Sequence, residues 1–103
     1  MDKTHPKLNI QDIKTTVKDV AESFGVARVV LFGSYARGDA TWDSDIDLCI
    51  DKGELRGLFQ LSGFRLSLEE KLNTSVDVLT TESLDEGFLE NIKPEEIVLY
   101  EKS

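Results

Sequence analysis

The chain has 103 residues, enough for one domain with a buried core but too few for two. Its 12 lysine and arginine residues against 20 aspartate and glutamate residues give a formal net charge of −8. Proteins that grip nucleic acid neutralise its phosphates with clustered basic side chains, so this charge argues against a DNA or RNA partner and favours a basic protein. We expect one domain over residues 1–103, with a flexible tail over residues 1–7.

The cysteine content and the lack of long apolar segments bear on the compartment. Cys49 is the only cysteine in the sequence, which excludes an internal disulfide and suits a reducing cytosol. No signal peptide or membrane span is recognisable, so we expect a cytoplasmic protein without membrane association. Cys49 shares a predicted strand face with Asp47, and we interpret it as a small buried residue rather than part of a site.

The first two predicted elements are a helix and a strand. Apolar residues recur at three- and four-residue spacing from Ile10 to Phe24, which predicts an amphipathic helix that ends at Gly25. Residues 27–32 are mostly apolar and include two β-branched valines, which predicts a buried strand.

A Gly-Ser turn follows that strand. Gly33 ends the strand, and Ser34 opens a short helix that Gly38 ends. Glycine lets the backbone turn sharply and lets a ligand come close, while a helix start offers unpaired N–H groups to an anion. The Ser34 hydroxyl adds a further donor. Most turns of this kind are only helix caps, so the turn by itself is a weak indication of phosphate binding.

Two aspartates lie two residues apart in the next predicted strand, residues 44–51. Because side chains alternate along a strand, Asp45 and Asp47 share one face. The opposite face carries Ile46, Leu48 and Ile50, which are expected to point into the core. Like charges on one face repel each other, and a divalent cation with oxygen ligands would remove that cost. A solvated acidic strand face is the alternative, and the Gly-Ser turn close before the pair favours the metal site.

A third carboxylate is expected to complete the site. Asp51 has the right face but lies about 13 Å further along the strand than Asp47, at ~3.3 Å per residue, so it is a poor ligand candidate. Asp77 is better, because residues 76–79 predict a short strand with Asp77 on the face opposite its two valines. If that strand pairs beside the acidic strand, Asp77 approaches the other two carboxylates. A polar residue on an open sheet face is the alternative.

The remaining elements complete an alternating pattern. Residues 55–72 predict a helix that is apolar around much of its circumference, despite Gly57 and Gly63, so it is either well buried or leaves a face for a partner. We expect this segment and Trp42 to form any interface. Ser83 is predicted to cap a helix over residues 84–92, and residues 97–101 predict the last strand. The α-β-α-β-α-β-α-β order predicts an α+β fold: a small mixed sheet with helices packed mainly on one face.

The turn and the carboxylate pair together resemble the signature of one family. Gly-Ser-x-Ala-Arg-Gly, five residues, then Ser-Asp-x-Asp is similar to the motif of minimal nucleotidyltransferases (MNT), the smallest members of the DNA polymerase β-like superfamily, and every fixed position matches. The motif covers about a sixth of the chain, and the terminal strand is also similar. Residues 52–74 carry no signature of the family.

The resemblance implies a polymerase β-like fold, ATP as substrate and two Mg²⁺ ions. It implies in-line attack of an acceptor hydroxyl on the α-phosphorus, with pyrophosphate leaving and Asp77 available as general base. Arg37 either neutralises triphosphate charge or pairs with Asp39 or Asp43. The implied catalytic and metal-binding residues are Asp45, Asp47 and Asp77, and the implied nucleotide-binding residues are Gly33, Ser34, Arg37 and Ser44.

The resemblance also implies a biological role. Similar chains act as antitoxins beside a helical HEPN ribonuclease toxin, and the family is thought to add AMP to a toxin tyrosine. Two alternatives stay open: adenylylation of a small hydroxylated molecule such as an aminoglycoside, and non-catalytic neutralisation of a partner by binding.

Overall fold

The protein is described by a computed structural model over residues 4–102. Helices and strands alternate in the predicted order, with 3₁₀ turns at Thr81–Ser83 and Lys93–Glu95. The elements are α1 (Ile10–Phe24), β1 (Arg28–Phe32), α2 (Ser34–Arg37), β2 (Ile46–Asp51), α3 (Gly57–Leu72), β3 (Val76–Thr80), α4 (Glu86–Ile92) and β4 (Ile97–Glu101).

The strands form one mixed sheet in the order β3-β2-β1-β4. β1 pairs antiparallel with β2 and with β4, whereas β2 and β3 run parallel. The parallel pair requires a crossover, and α3 supplies it. The predicted α+β class with a small mixed sheet is confirmed.

The helices pack mainly on one face of the sheet, as predicted. The core on that face includes Ile13 of α1, Leu48 of β2 and Phe64 of α3, all fully buried. Phe24 and Phe64 meet edge to face, with ring centroids 5.8 Å apart. A smaller cluster on the other face lies under α4.

The first helix forms for reasons that are visible in the sequence. The Asn9 side chain accepts a hydrogen bond from the Asp12 N–H at 2.7 Å, which satisfies one unpaired donor of the first turn. Gly25 then ends α1 in the left-handed conformation, with φ 72°, and its N–H donates to the carbonyls of the last turn. The apolar stripe between these caps turns toward the sheet.

Two predicted boundaries are wrong by a few residues. Ser83 lies in a 3₁₀ turn, and α4 is capped by Asp85, whose carboxylate accepts the Phe88 N–H at 2.7 Å. Both residues are good caps, and the carboxylate two positions later takes the role. β2 begins at Ile46 rather than at residue 44, because Ser44 belongs to a turn in which its hydroxyl accepts the Thr41 N–H.

The predicted flexible tail, residues 1–7, lies partly outside the described residues. Within the described part, the Lys7 ammonium donates to the Asn73 carbonyl, and Leu8 packs against the core. Residues 4–102 contain no helix long and apolar enough to cross a membrane.

Candidate functional site

The sheet brings the predicted acidic residues to one end. Phe32, the last residue of β1, pairs with Asp47 on β2, and Asp47 pairs with Asp77 on β3. Gly33 follows Phe32, and Asp45 precedes Asp47 by two positions. The expected pairing of the Asp77 strand beside the acidic strand is therefore present, and the Gly-Ser turn lies next to both.

The turn approaches Asp47 so closely that only glycine fits. A Cβ built on Gly33 would lie 2.2 Å from Oδ2 of Asp47 and 3.0 Å from its Cγ. Gly33 also has φ 77° and ψ −157°, a region that residues with a Cβ rarely adopt. The short helix that follows ends at Gly38, whose N–H donates to the Ser34 carbonyl at 3.0 Å. The sequence prediction of this turn is confirmed.

A carboxylate that the sequence reasoning missed contacts the turn. Oε2 of Glu95 accepts the Gly33 N–H at 2.5 Å and lies 3.3 Å from Nη1 of Arg37. Arg37 also pairs with Asp39 at 3.3 Å, so one of its two predicted pairings is present and Glu95 takes the place of Asp43. No local motif marks Glu95. Glu95 reaches the turn because Leu31 of β1 pairs with Ile97 of β4, which sets the residues before β4 beside the end of β1.

The electrostatics of the site suit a cation. The pKa of Asp47 is raised, first because the carboxyl is partly buried, then because Asp77 and Asp45 lie nearby, with a smaller contribution from Glu95. The Arg37 guanidinium opposes this and lowers the pKa. Asp45 and Asp77 are exposed, whereas Asp47 is half-buried. Asp47 is therefore costly to ionise, and the neighbouring carboxylates add negative charge around it.

The donor chemistry of the three aspartates fits a hard divalent ion, although their side chains do not converge on one point in this structure. Within residues 4–102, no three histidine, cysteine, aspartate or glutamate side chains converge closely enough to hold a metal ion. Carboxylate oxygens are the ligands that Mg²⁺ prefers. The backbones of Asp47 and Asp77 are direct neighbours, and exposed aspartate side chains turn at little cost, so the set can close on an ion.

Asp51 and Cys49, which the sequence analysis leaves outside the site, have contacts elsewhere in the fold. Asp51, rejected as a ligand, accepts a hydrogen bond from the Thr81 hydroxyl at 2.7 Å, at the opposite end of β2. Cys49 is buried with Val30 and Ile92, which confirms the small buried residue that was predicted. Burial, followed by the nearby Asp51, raises the pKa of its thiol.

The family is shown by comparison with known proteins. The family model described as "Polymerase beta, Nucleotidyltransferase" matches residues 11–103. The chain belongs to this polymerase β nucleotidyltransferase family. It is a nucleotidyltransferase, as its sequence motif predicts, and the resemblance to the minimal members of the family is confirmed.

Two curated relatives of this nucleotidyltransferase span most of it. A candidate protein adenylyltransferase of Methanocaldococcus jannaschii is 40% identical over 77 residues, which cover 75% of this chain and 83% of that protein. Protein adenylyltransferase MntA of Thermococcus cleftensis is 33% identical over 89 residues, covering 82% of this chain and 90% of that protein.

Solved structures confirm the fold. A candidate minimal nucleotidyltransferase superimposes with a TM-score of 0.77 at 31% identity, covering 88% of this chain and 96% of that one. A chain of the complex between a tri-AMPylated Shewanella oneidensis HEPN toxin and an MNT antitoxin superimposes with a TM-score of 0.69 at 16% identity, covering 89% and 72%. At that identity, the second likeness shows the fold alone.

Proposed function

We propose that this nucleotidyltransferase moves AMP from ATP to a hydroxyl of a partner protein and acts as the antitoxin of a HEPN-type toxin. The observation that carries the proposal is the row formed by the Gly33 turn, Asp47 and Asp77 across three neighbouring chain segments. Such a row places a phosphate-binding turn beside carboxylates that can bind a metal ion. The names of the two relatives, both protein adenylyltransferases, support a protein acceptor.

The chain's own residues have distinct roles in this proposal. The backbone and hydroxyl of Ser34 hold phosphate oxygens beside Gly33, which itself carries no side chain. Arg37 lies at the same turn and balances triphosphate charge, while Ser44 fixes the loop that leads into Asp45. The acceptor hydroxyl attacks the α-phosphorus, its proton goes to the Asp77 carboxylate, and pyrophosphate leaves.

The carboxylates would hold the metal. Asp45, Asp47 and Asp77 are the proposed ligands of two Mg²⁺ ions, which when bound neutralise phosphate charge and make the hydroxyl more acidic. The pKa of Asp47 is raised first by burial and then by repulsion from Asp77 and Asp45, and bound cations would remove the cost of that repulsion.

The partner is inferred from charge and from the fold neighbours. A formal net charge of −8 favours a basic protein over nucleic acid. The S. oneidensis complex pairs an AMPylated HEPN toxin with an MNT antitoxin. We propose the same kind of pairing here, with a tyrosine as the acceptor, as the family resemblance implies. We propose a cytoplasmic location, because the reaction draws on ATP, which is intracellular.

Intact-mass spectrometry tests the proposal directly. The chain is incubated with the HEPN protein encoded beside it, ATP and Mg²⁺. We expect the partner to gain one or more AMP units, and the Asp45→Asn/Asp47→Asn variant to transfer none while staying folded. The matched control removes two exposed carboxylates from α1, Asp12→Asn/Asp19→Asn, and should transfer normally.

The other outcomes each identify an alternative. Full activity of the Asp45/Asp47 variant would sink the assigned roles of these carboxylates. A stable complex without any mass change, retained by the double variant, would favour neutralisation by binding. Transfer to an aminoglycoside rather than to the protein would identify a small-molecule enzyme.

A further inference from the structure

The strand that carries Asp77 lies at an edge of the sheet. β3 pairs with β2 on one side, and among residues 4–102 the sheet order places no strand on its other side. Asp77 itself is exposed, so core packing does not hold its side chain. An edge strand has backbone groups that need partners from elsewhere, and the position of Asp77 depends on what supplies them.

One carboxylate supplies that partner at the start of the strand. Oε2 of Glu69 accepts the Val76 N–H at 2.9 Å, and Oε1 accepts from Nη1 of Arg65, one helical turn earlier, also at 2.9 Å. The Glu69 side chain is only 25% exposed, so water screens these bonds weakly. Both oxygens of one side chain therefore tie the last turns of α3 to the residue that precedes Asp77.

The same stretch of backbone is held from β2 as well. The Ser75 carbonyl accepts the Ile46 N–H at 3.0 Å, and Ile46 lies between the two aspartates of the motif. Val76 is buried and points into the core. The start of β3 is thus held on both sides: by the strand that carries Asp45 and Asp47, and by Glu69.

We propose that Glu69 is a positioning residue that sets Asp77 against Asp47 for transfer. The inference rests on the proposed function, since it assigns a role in the same reaction. Losing the Glu69 carboxylate frees the Val76 N–H and lets the first residues of the edge strand move away from β2. Asp77 then no longer holds the distance to Asp47 that the register imposes, while the Gly33 turn and the Asp45–Asp47 pair stay in place.

Steady-state kinetics of three variants test this role. Glu69→Ala should lower kcat by on the order of tenfold to a hundredfold, as expected for a displaced catalytic group, with the KM for ATP nearly unchanged. Glu69→Gln keeps an acceptor oxygen for the Val76 N–H and should retain most of the activity. The matched control is Glu70→Ala, the exposed next residue, which should behave like the wild type.

A double-mutant cycle separates positioning of Asp77 from general loosening. In an Asp77→Asn background, Glu69→Ala should lower the residual kcat no further, because the group that it positions is already disabled. The proposal is overturned if Glu69→Ala lowers kcat equally in both backgrounds, or if it raises the KM for ATP in place of lowering kcat.

Hydrogen exchange supplies a readout that does not need activity. Well below the unfolding temperature, Glu69→Ala should accelerate amide exchange at residues 76–78 selectively, and Glu70→Ala should not. Unchanged exchange there, or a uniform loss of protection over the whole chain, overturns the proposal. If the wild type transfers no AMP, the proposed function fails on its own, and the exchange result alone decides whether Glu69 holds β3.

Discussion

Replacing Gly33 with alanine tests whether the turn must approach Asp47 this closely. The backbone of Gly33, at φ 77° and ψ −157°, would cost a residue with a Cβ on the order of 1–3 kcal/mol. The new Cβ, 2.2 Å from Oδ2 of Asp47, forces that carboxylate out of its rotamer at a further cost of about 0.5–1.5 kcal/mol. We expect the free energy of unfolding to fall by about 2–4 kcal/mol and Tm by roughly 10–30 °C.

Urea denaturation of matched variants measures the two contributions separately. Gly38→Ala has a similarly positive φ of 87°, but among the described residues its Cβ would meet no atom within 4 Å beyond those of its chain neighbours and the adjoining helix backbone, so it should cost only about 1–2 kcal/mol. Of the three atoms nearest to the Gly33 Cβ, an Asp47→Ala background leaves only Cβ of residue 47, at 3.3 Å, and Gly33→Ala should cost about 1 kcal/mol less than in the wild type. The reasoning is refuted if Gly33→Ala is no more destabilising than Gly38→Ala, or if the Asp47→Ala background leaves its cost unchanged.

Further predictions concern buried and exposed groups. Asp47→Asn should stabilise the metal-free protein at pH 7 in chemical denaturation. Folding raises the pKa of Asp47, so the wild type loses stability as the pH rises from the ordinary pKa of 3.8 through the raised pKa of the folded state. The gain from the substitution should therefore vanish below pH 3.8. Tyr35→Phe removes a buried hydroxyl that has no hydrogen-bond partner among residues 4–102, so unfolding should cost about 1 kcal/mol more, and a lower Tm would contradict this. Cys49 is buried and the pKa of its thiol is raised, so a thiol reagent should label it at the rate of unfolding; fast labelling of the native protein would count against its burial. Leu58 and Phe59 are 80% and 96% exposed, and Leu58→Ser/Phe59→Ser should weaken binding of the HEPN partner without lowering Tm, with Val98→Ser on β4 as control.

The local part of the site could be predicted from the sequence. Glycines at positions 33 and 38 mark the ends of the short helix, and the two-residue period of a strand puts Asp45 and Asp47 on one face. Asp77 could be predicted only conditionally, because its place beside Asp47 depends on β3 pairing with β2 rather than with another strand. The family signature covers the two glycines and the Asp45–Asp47 pair, but it does not cover Asp77.

The rest depends on tertiary contacts that have no local signal. Glu95 reaches the Gly33 N–H across 62 positions, because β4 pairs with β1, and nothing near it in the sequence marks that contact. The exposure of Leu58 and Phe59 could not be predicted either, since α3 is apolar around much of its circumference and its buried side is chosen by packing. The Asp85 cap was missed because Ser83 offers similar capping chemistry two residues earlier.

The hydrogen bond between Glu95 and Gly33 has a consequence for the order in which the enzyme folds during its synthesis. Its two residues are 62 positions apart, and contacts of such sequence separation close late, after the entropy of the intervening loop has been overcome. During synthesis, the Gly-Ser turn and both aspartates leave the ribosome well before the segment that supports them. A nascent chain therefore carries the whole signature without a finished turn, and the turn gains its Glu95 contact only when β4 docks against β1.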